Sequence, residues 1–245
     1  MKSWRTFIER LTPGIPYPLL IVSVNSAVFL LLDHYFSTEN FFKKTLRPAF
    51  DIDPGLLFGY APYAWFVLST FTLFFLMTLL VARLIDGNGP ADVGCALGDW
   101  RKGLKWTGIF FLAMIPIVVA ASFIPAFSKF YPMAKTAGDS PAAFILFEFL
   151  MLLYFIAWEF FFRGYMLFSM HKHIGNAAIL VQMIPFALVH GGKPLPEAVG
   201  AIFVGILLGY FALATRTFLY CALLHFLVAF SMDIAALAQK SELFH

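Results

Sequence analysis

The sequence predicts an all-α fold, a polytopic bundle of about seven transmembrane helices. Composition is the first reason. Hydrophobic residues make up 61% of the 245-residue chain and charged residues only 13%, whereas soluble domains run at about 45–50% apolar and about 25% charged. A water-soluble core cannot hide that much apolar surface, so lipid must be the solvent for most of it. The second reason is the aromatic content of 18%, with 31 Phe, which suits lipid-facing and interfacial positions. The third is that the apolar residues fall into runs of spanning length.

A span takes roughly 20 mostly apolar residues. Seven segments come near this: 17–32, 62–85, 106–124, 142–170, 176–190, 198–215 and 218–238. The first follows Met1-Lys2-Ser3-Trp4-Arg5 and mimics a signal peptide. However, Asp33-His34-Tyr35-Phe36 comes next and not a small-x-small cleavage site, so the segment reads as a retained helix. Residues 33–60 are long enough for an interfacial or re-entrant element. Turn residues separate the later spans: Asp86-Gly87-Asn88-Gly89-Pro90, Gly138-Asp139-Ser140-Pro141 and Gly191-Gly192-Lys193-Pro194. In the sixth segment Gly200, Gly205 and Gly209 punctuate an apolar run, and Gly205-x-x-x-Gly209 is a small-xxx-small pattern for close helix packing.

A formal net charge of +3 points to no nucleic-acid partner. With the N-terminus inside, the cytoplasmic positions collect nine Lys and Arg against seven on the other side, which favours that orientation. Cys95 and Cys221 lie far apart, without metal or redox spacing, and read as small core residues.

Ionisable residues inside a span are expensive and point to function. They concentrate in the last four segments: Glu148, Glu159, Arg163, His190, His225 and Asp233, with Glu197 at the mouth of the sixth. The first three segments hold almost none, apart from Arg83 near an end. The chain thus divides into an N-terminal transmembrane region, 1–140, of about three helices and a C-terminal bundle, 141–245, of about four. If the fourth and fifth segments form a hairpin turning at His171–Gly175, Glu159 lies about 18 Å and His190 about 22 Å from the turn. His225 lies about 14 Å into the seventh segment, and Asp233 about 25 Å. One carboxylate and two imidazoles can therefore converge near mid-membrane.

Glu159 and Arg163, four residues apart, share a helix face and can neutralise each other; a plain buried ion pair is the alternative. Glu148 lies close to three turns before Glu159, on the same face, and either lines a cavity or sits near the outer interface, the second being favoured. Asp233 either orients a histidine, accepts a substrate group or is solvated near the helix end. A carboxylate beside an imidazole can activate water, and a second imidazole can hydrogen-bond a developing oxyanion. Those parts suffice for amide hydrolysis without a covalent intermediate or a cofactor. Two His and a carboxylate can also bind zinc, but no His-Glu-x-x-His run is present, so direct water activation ranks first and no metal is expected.

Three motifs carry a resemblance. Glu159-Phe160-Phe161-Phe162-Arg163-Gly164-Tyr165 resembles the Glu-x-x-x-Arg-Gly core of the CAAX-protease and bacteriocin-processing family, which includes the type II CAAX prenyl proteases. Phe186-Ala187-Leu188-Val189-His190 resembles its Phe-x-x-x-His motif, and His225 matches its last histidine. The resemblance covers about 144–233. It implies an intramembrane endopeptidase acting on a membrane-anchored or lipid-modified protein, in an integral membrane protein of the bacterial inner membrane. It also implies that Glu159 and His190 activate water, that Arg163 holds the glutamate and that His225 helps form the oxyanion site; Phe186, Asp233 and Glu197 are supporting candidates. Two positions depart from the pattern. Trp158 stands where the family usually has a first Glu, and Ala229 where it often has Asn. Adjacent helical residues point about 100° apart, so either the helix is rotated or bulged at Glu159, or Glu159 is structural. A non-catalytic scaffold or immunity-type binding protein is the competing function, and a proton-coupled transporter the third.

Overall fold

The computed structural model describes residues 7, 10–53, 55–84 and 87–240, and all regular structure among them is helical. Residues 1–5, Ile85 and Asp86, which the sequence reading used, lie outside the described residues. Six helices are long and apolar enough to cross a membrane: α1 (Tyr17–Phe36), α2 (Ala61–Leu84), α3 (Trp100–Ser122), α5 (Pro141–Ile174), α7 (Leu195–Thr215) and α8 (Leu219–Lys240). Between them lie the short α4 (Pro125–Phe130) and the apolar, 12-residue α6 (Ala177–Leu188).

The helix ends follow local chemistry. Asp99 caps α3 by accepting the backbone N–H of Lys102, so α3 begins six residues ahead of its apolar stretch and carries its first charged turns with it. α6 stops at Leu188, ahead of Gly191, Gly192 and Pro194. His190 consequently sits in a turn beyond the helix, its own N–H bonded to Ala187 O and its carbonyl to Lys193 N.

α5 is the centre of the bundle. Of its apolar window 61% is buried, against 11% for α1 and α3. α2 and α8 flank it, α3 lies against α8, and α6 packs along α7. Helices from the two halves of the chain thus interleave. The glycines of α7 act as the small-residue pattern predicts. A Cβ on Gly205 would lie 2.9 Å from Met183 and one on Gly209 2.9 Å from Ile179, both on α6. Gln182 uses the close approach to donate to Gly205 O at 3.0 Å. Gly200 faces open space and takes no part.

The loop before α3 is tied to the turn between α7 and α8. Thr217 Oγ1 donates to Gly94 O at 2.9 Å, Asp99 N to Thr215 O at 2.9 Å, and the Tyr220 hydroxyl to Leu97 O at 2.8 Å. Gly98 permits this contact: its φ is +55°, and a Cβ there would stand 2.0 Å from Thr215 O. Gly98→Ala is expected to lower stability by about 2 kcal/mol or more. Gly108→Ala, where the space is open, should be neutral or gain up to about 1 kcal/mol. Thermal melts of both variants in detergent check the difference.

Candidate active site

Glu159 ends the α-helical part of α5, and a π-helical stretch, Phe160–Met166, follows it directly. The helix is therefore bulged at the motif, one of the two alternatives left open by Trp158. π-bulges inside helices cluster at functional sites. Every residue from Ala157 to Leu167 is buried, so this stretch is enclosed on all sides by other helices. Gly164 makes part of that enclosure possible: a Cβ there would lie 2.8 Å from the backbone carbonyl of Val93.

Three charged or polar groups meet inside. Arg163 Nη1 stands 3.2 Å from both carboxylate oxygens of Glu159, and neither side chain has any exposure. His225, reaching across from α8, places Nδ1 2.7 Å from Glu159 Oε1. A carboxylate only accepts, so Nδ1 carries the hydrogen of this bond. His190 is oriented in the same way by a different acceptor, its Nδ1 lying 2.7 Å from Phe186 O.

Phe186 is the hub. The Arg163 guanidinium lies 3.7 Å above its ring, and the His190 and His225 rings pack against it at centroid distances of 4.5 and 6.4 Å. A guanidinium on an aromatic face gains from the ring's negative quadrupole, so Phe186 holds the ion pair from below while spacing the two imidazoles. The convergence of Glu159, Arg163, His225, His190 and Phe186 is thus real. Within it Glu159 bonds Arg163 and His225, and His190 stands across the Phe186 ring without a hydrogen bond to the carboxylate.

Trp158 takes the flank of His190. Its indole meets the imidazole edge to face at 6.1 Å and also contacts Phe162 at 5.2 Å. Ala229 sits in an apolar cluster with Phe147 and Phe155 and offers no polar group. Asp233 is buried on α8 without a hydrogen bond to His225. Glu148 is buried on α5. Neither of its carboxylate oxygens has a hydrogen-bond partner among the described residues.

Glu197 belongs to a separate polar ring at the mouth of the site, and that ring includes Tyr131, which sequence reasoning missed. The Tyr131 hydroxyl donates to Glu197 at 2.7 Å, while Lys193 Nζ donates to Glu197 at 2.7 Å and to the Tyr131 oxygen at 3.1 Å. Burial, with the Glu197 charge adding to it, pushes the Tyr131 phenol well above its usual range, so it stays a donor. Tyr131 lies more than 60 residues from its partners, and nothing in its sequence context marks it. Among the described residues no group of three or more His, Cys, Asp or Glu is arranged to hold a metal, and Arg163 already supplies Glu159 with its cationic partner.

The fold and site define a class: an all-helical, integral membrane protein with a carboxylate and a guanidinium buried in its central helix and two imidazoles brought to them from α8 and from the turn after α6. Residues 140–231 match the family model described as Type II CAAX prenyl endopeptidase Rce1-like, in agreement with the resemblance read from the three motifs. The similarity is therefore to membrane endopeptidases. No curated protein and no solved structure matches the chain.

Removing one partner of a buried ion pair strands the other. Arg163→Met is expected to cost roughly 3–5 kcal/mol, and Glu159→Met with Arg163→Met to recover much of that loss. Melting of the single and double variants in detergent measures the coupling.

Proposed function

We propose that the chain is an intramembrane endopeptidase that hydrolyses a peptide bond in a membrane-anchored, lipid-modified protein close to the bilayer surface, with its N-terminal end on the cytoplasmic side. The observation that carries this reading is the bond between the buried Glu159 and the partly exposed His225, lying within the stretch that is similar to CAAX-type endopeptidases. In this reading Glu159 acts through His225. The carboxylate holds the Nδ1 hydrogen and leaves Nε2 as a base directed away from it. Water gives a proton to Nε2 as its oxygen attacks the scissile carbonyl carbon. The same nitrogen returns that proton to the departing amine as the C–N bond breaks. His190, held across Phe186 with its Nδ1 hydrogen on a backbone carbonyl, presents a neutral Nε2 that accepts a hydrogen bond from the water and positions it. This division of labour differs from a direct Glu159–His190 pair. What favours it is the 2.7 Å contact that Glu159 makes with His225.

Trp158 favours a second reading. Its indole occupies the flank of His190, on the residue where the family usually has a glutamate, as expected of a relative that binds a membrane protein without cutting it.

Mass spectrometry of new protein termini separates the two. Host membranes lacking the protein receive liposomes carrying wild type, Glu159→Gln, His225→Gln or Trp158→Glu. New termini near membrane anchors with wild type, falling by about 100-fold or more in Glu159→Gln and His225→Gln, support the endopeptidase. Identical termini with folded wild type and Glu159→Gln overturn it. New termini only with Trp158→Glu support the binding reading.

A further inference from the structure

The two faces of the bundle differ in charge. Among the described residues, the face bearing the α5–α6 and α7–α8 turns sets seven cationic side chains against two carboxylates, Asp92 and Asp99. The opposite face sets seven against five, counting Glu197 in the first turn of α7. On the first face both carboxylates are engaged: Asp92 pairs with Lys172 at 3.4 Å, and Asp99 caps α3. Arg101, Lys102, Lys105 and Arg216 are exposed, and no salt bridge reaches them among the described residues.

The backbone segments that carry these four groups, the first turns of α3 and the α7–α8 turn, are tied to each other. Arg216 immediately follows Thr215, whose carbonyl accepts the N–H of Asp99 one residue before α3. Arg216 is also held in the left-handed region, at φ +58°, a conformation that costs a non-glycine residue on the order of 1 kcal/mol or more. Gly103, on the inner side of the same turns of α3, lies so close to Tyr220 of α8 that a Cβ would stand 2.2 Å from its ring. The stretch of α3 that carries the cations is thereby fixed beside the α7–α8 turn before any ligand arrives. Exposed Trp100 and Trp106 alternate with them, 53% and 39% exposed, and Arg101 lies over the Trp100 ring at 5.5 Å. Interfacial tryptophans at this level mark the boundary between headgroups and acyl chains. A cation cluster at that boundary meets phosphate on one side and acyl chain on the other.

We infer that Arg101, Lys102, Lys105 and Arg216, framed by Trp100 and Trp106, form a binding site for the headgroup of an anionic phospholipid. The site is independent of the peptidase reading, being built at the opposite ends of the spans from Tyr131 and Glu197.

Native mass spectrometry of the full chain released from nanodiscs of mixed phosphatidylglycerol and phosphatidylcholine tests this. Wild type is expected to retain phosphatidylglycerol over phosphatidylcholine by about 10-fold. Arg101→Gln with Lys105→Gln should reduce the preference to about 2-fold or less. Arg216→Gly should also reduce it; glycine suits the left-handed backbone there, so a loss in this variant is not a folding defect. Lys43→Gln with Lys44→Gln, on the opposite face, should leave it unchanged. No preference in wild type, or an equal loss from both faces, overturns the site. Displacement of the lipid by millimolar inorganic phosphate overturns the lipid assignment in favour of a free anion.

Discussion

A carboxylate and a guanidinium placed in the middle of a membrane bundle must find each other or leave. The contact between Glu159 and Arg163 is therefore the constraint around which the rest of this structure is arranged. Neither group has any exposure, and the alternative to pairing is a desolvated charge that costs several kcal/mol. The π-helical stretch, the Phe186 ring under the guanidinium and the imidazole of His225 all serve that pair. Each also has a chemical consequence, because the groups that stabilise the charges are the ones that orient two histidines with their Nε2 atoms unengaged by either Nδ1 acceptor.

The surrounding packing encloses the ion pair. Phe74 stacks on Phe161 with ring centroids 4.2 Å apart, and Phe160 packs against Phe218. Gly164 admits the loop backbone at Val93, while Gly205 and Gly209 bring α6, and with it Phe186, against α7. In lipid, where apolar burial gives helices little reason to associate, such close approaches and internal hydrogen bonds do the joining. The Tyr131–Glu197–Lys193 ring closes the outer end, bolting the loop before α5 to the turn that carries His190.

Much of this could be read from residues alone. The spans followed from apolar runs, and the depth argument brought Glu159, His190 and His225 toward one level, where Glu159 bonds His225 at 2.7 Å and His190 bonds Phe186 O instead. The pairing of Arg163 with Glu159 followed from their spacing. What escaped has a physical pattern. The burial of Glu148 depends on which helix covers that face of α5, a tertiary fact with no local signal. The bulge after Glu159 stood as one of two alternatives, since Trp158 raised the question without answering it. The Tyr131 ring joins groups on two segments more than 60 residues apart, and single-chain periodicity carries no trace of it. Asp99 moved the start of α3 because capping and hydropathy mark different boundaries.

The central claim is that the buried carboxylate acts through His225. Nitrogen-15 NMR of histidine-labelled protein in micelles, with the resonance assigned by His225→Gln, tests it most directly. The Glu159–His225 bond predicts that His225 carries its hydrogen on Nδ1, strongly hydrogen-bonded, and that Glu159→Gln shifts this signal while leaving that of His190 in place. A hydrogen found on Nε2 of His225, or a His225 signal indifferent to Glu159→Gln, would contradict it.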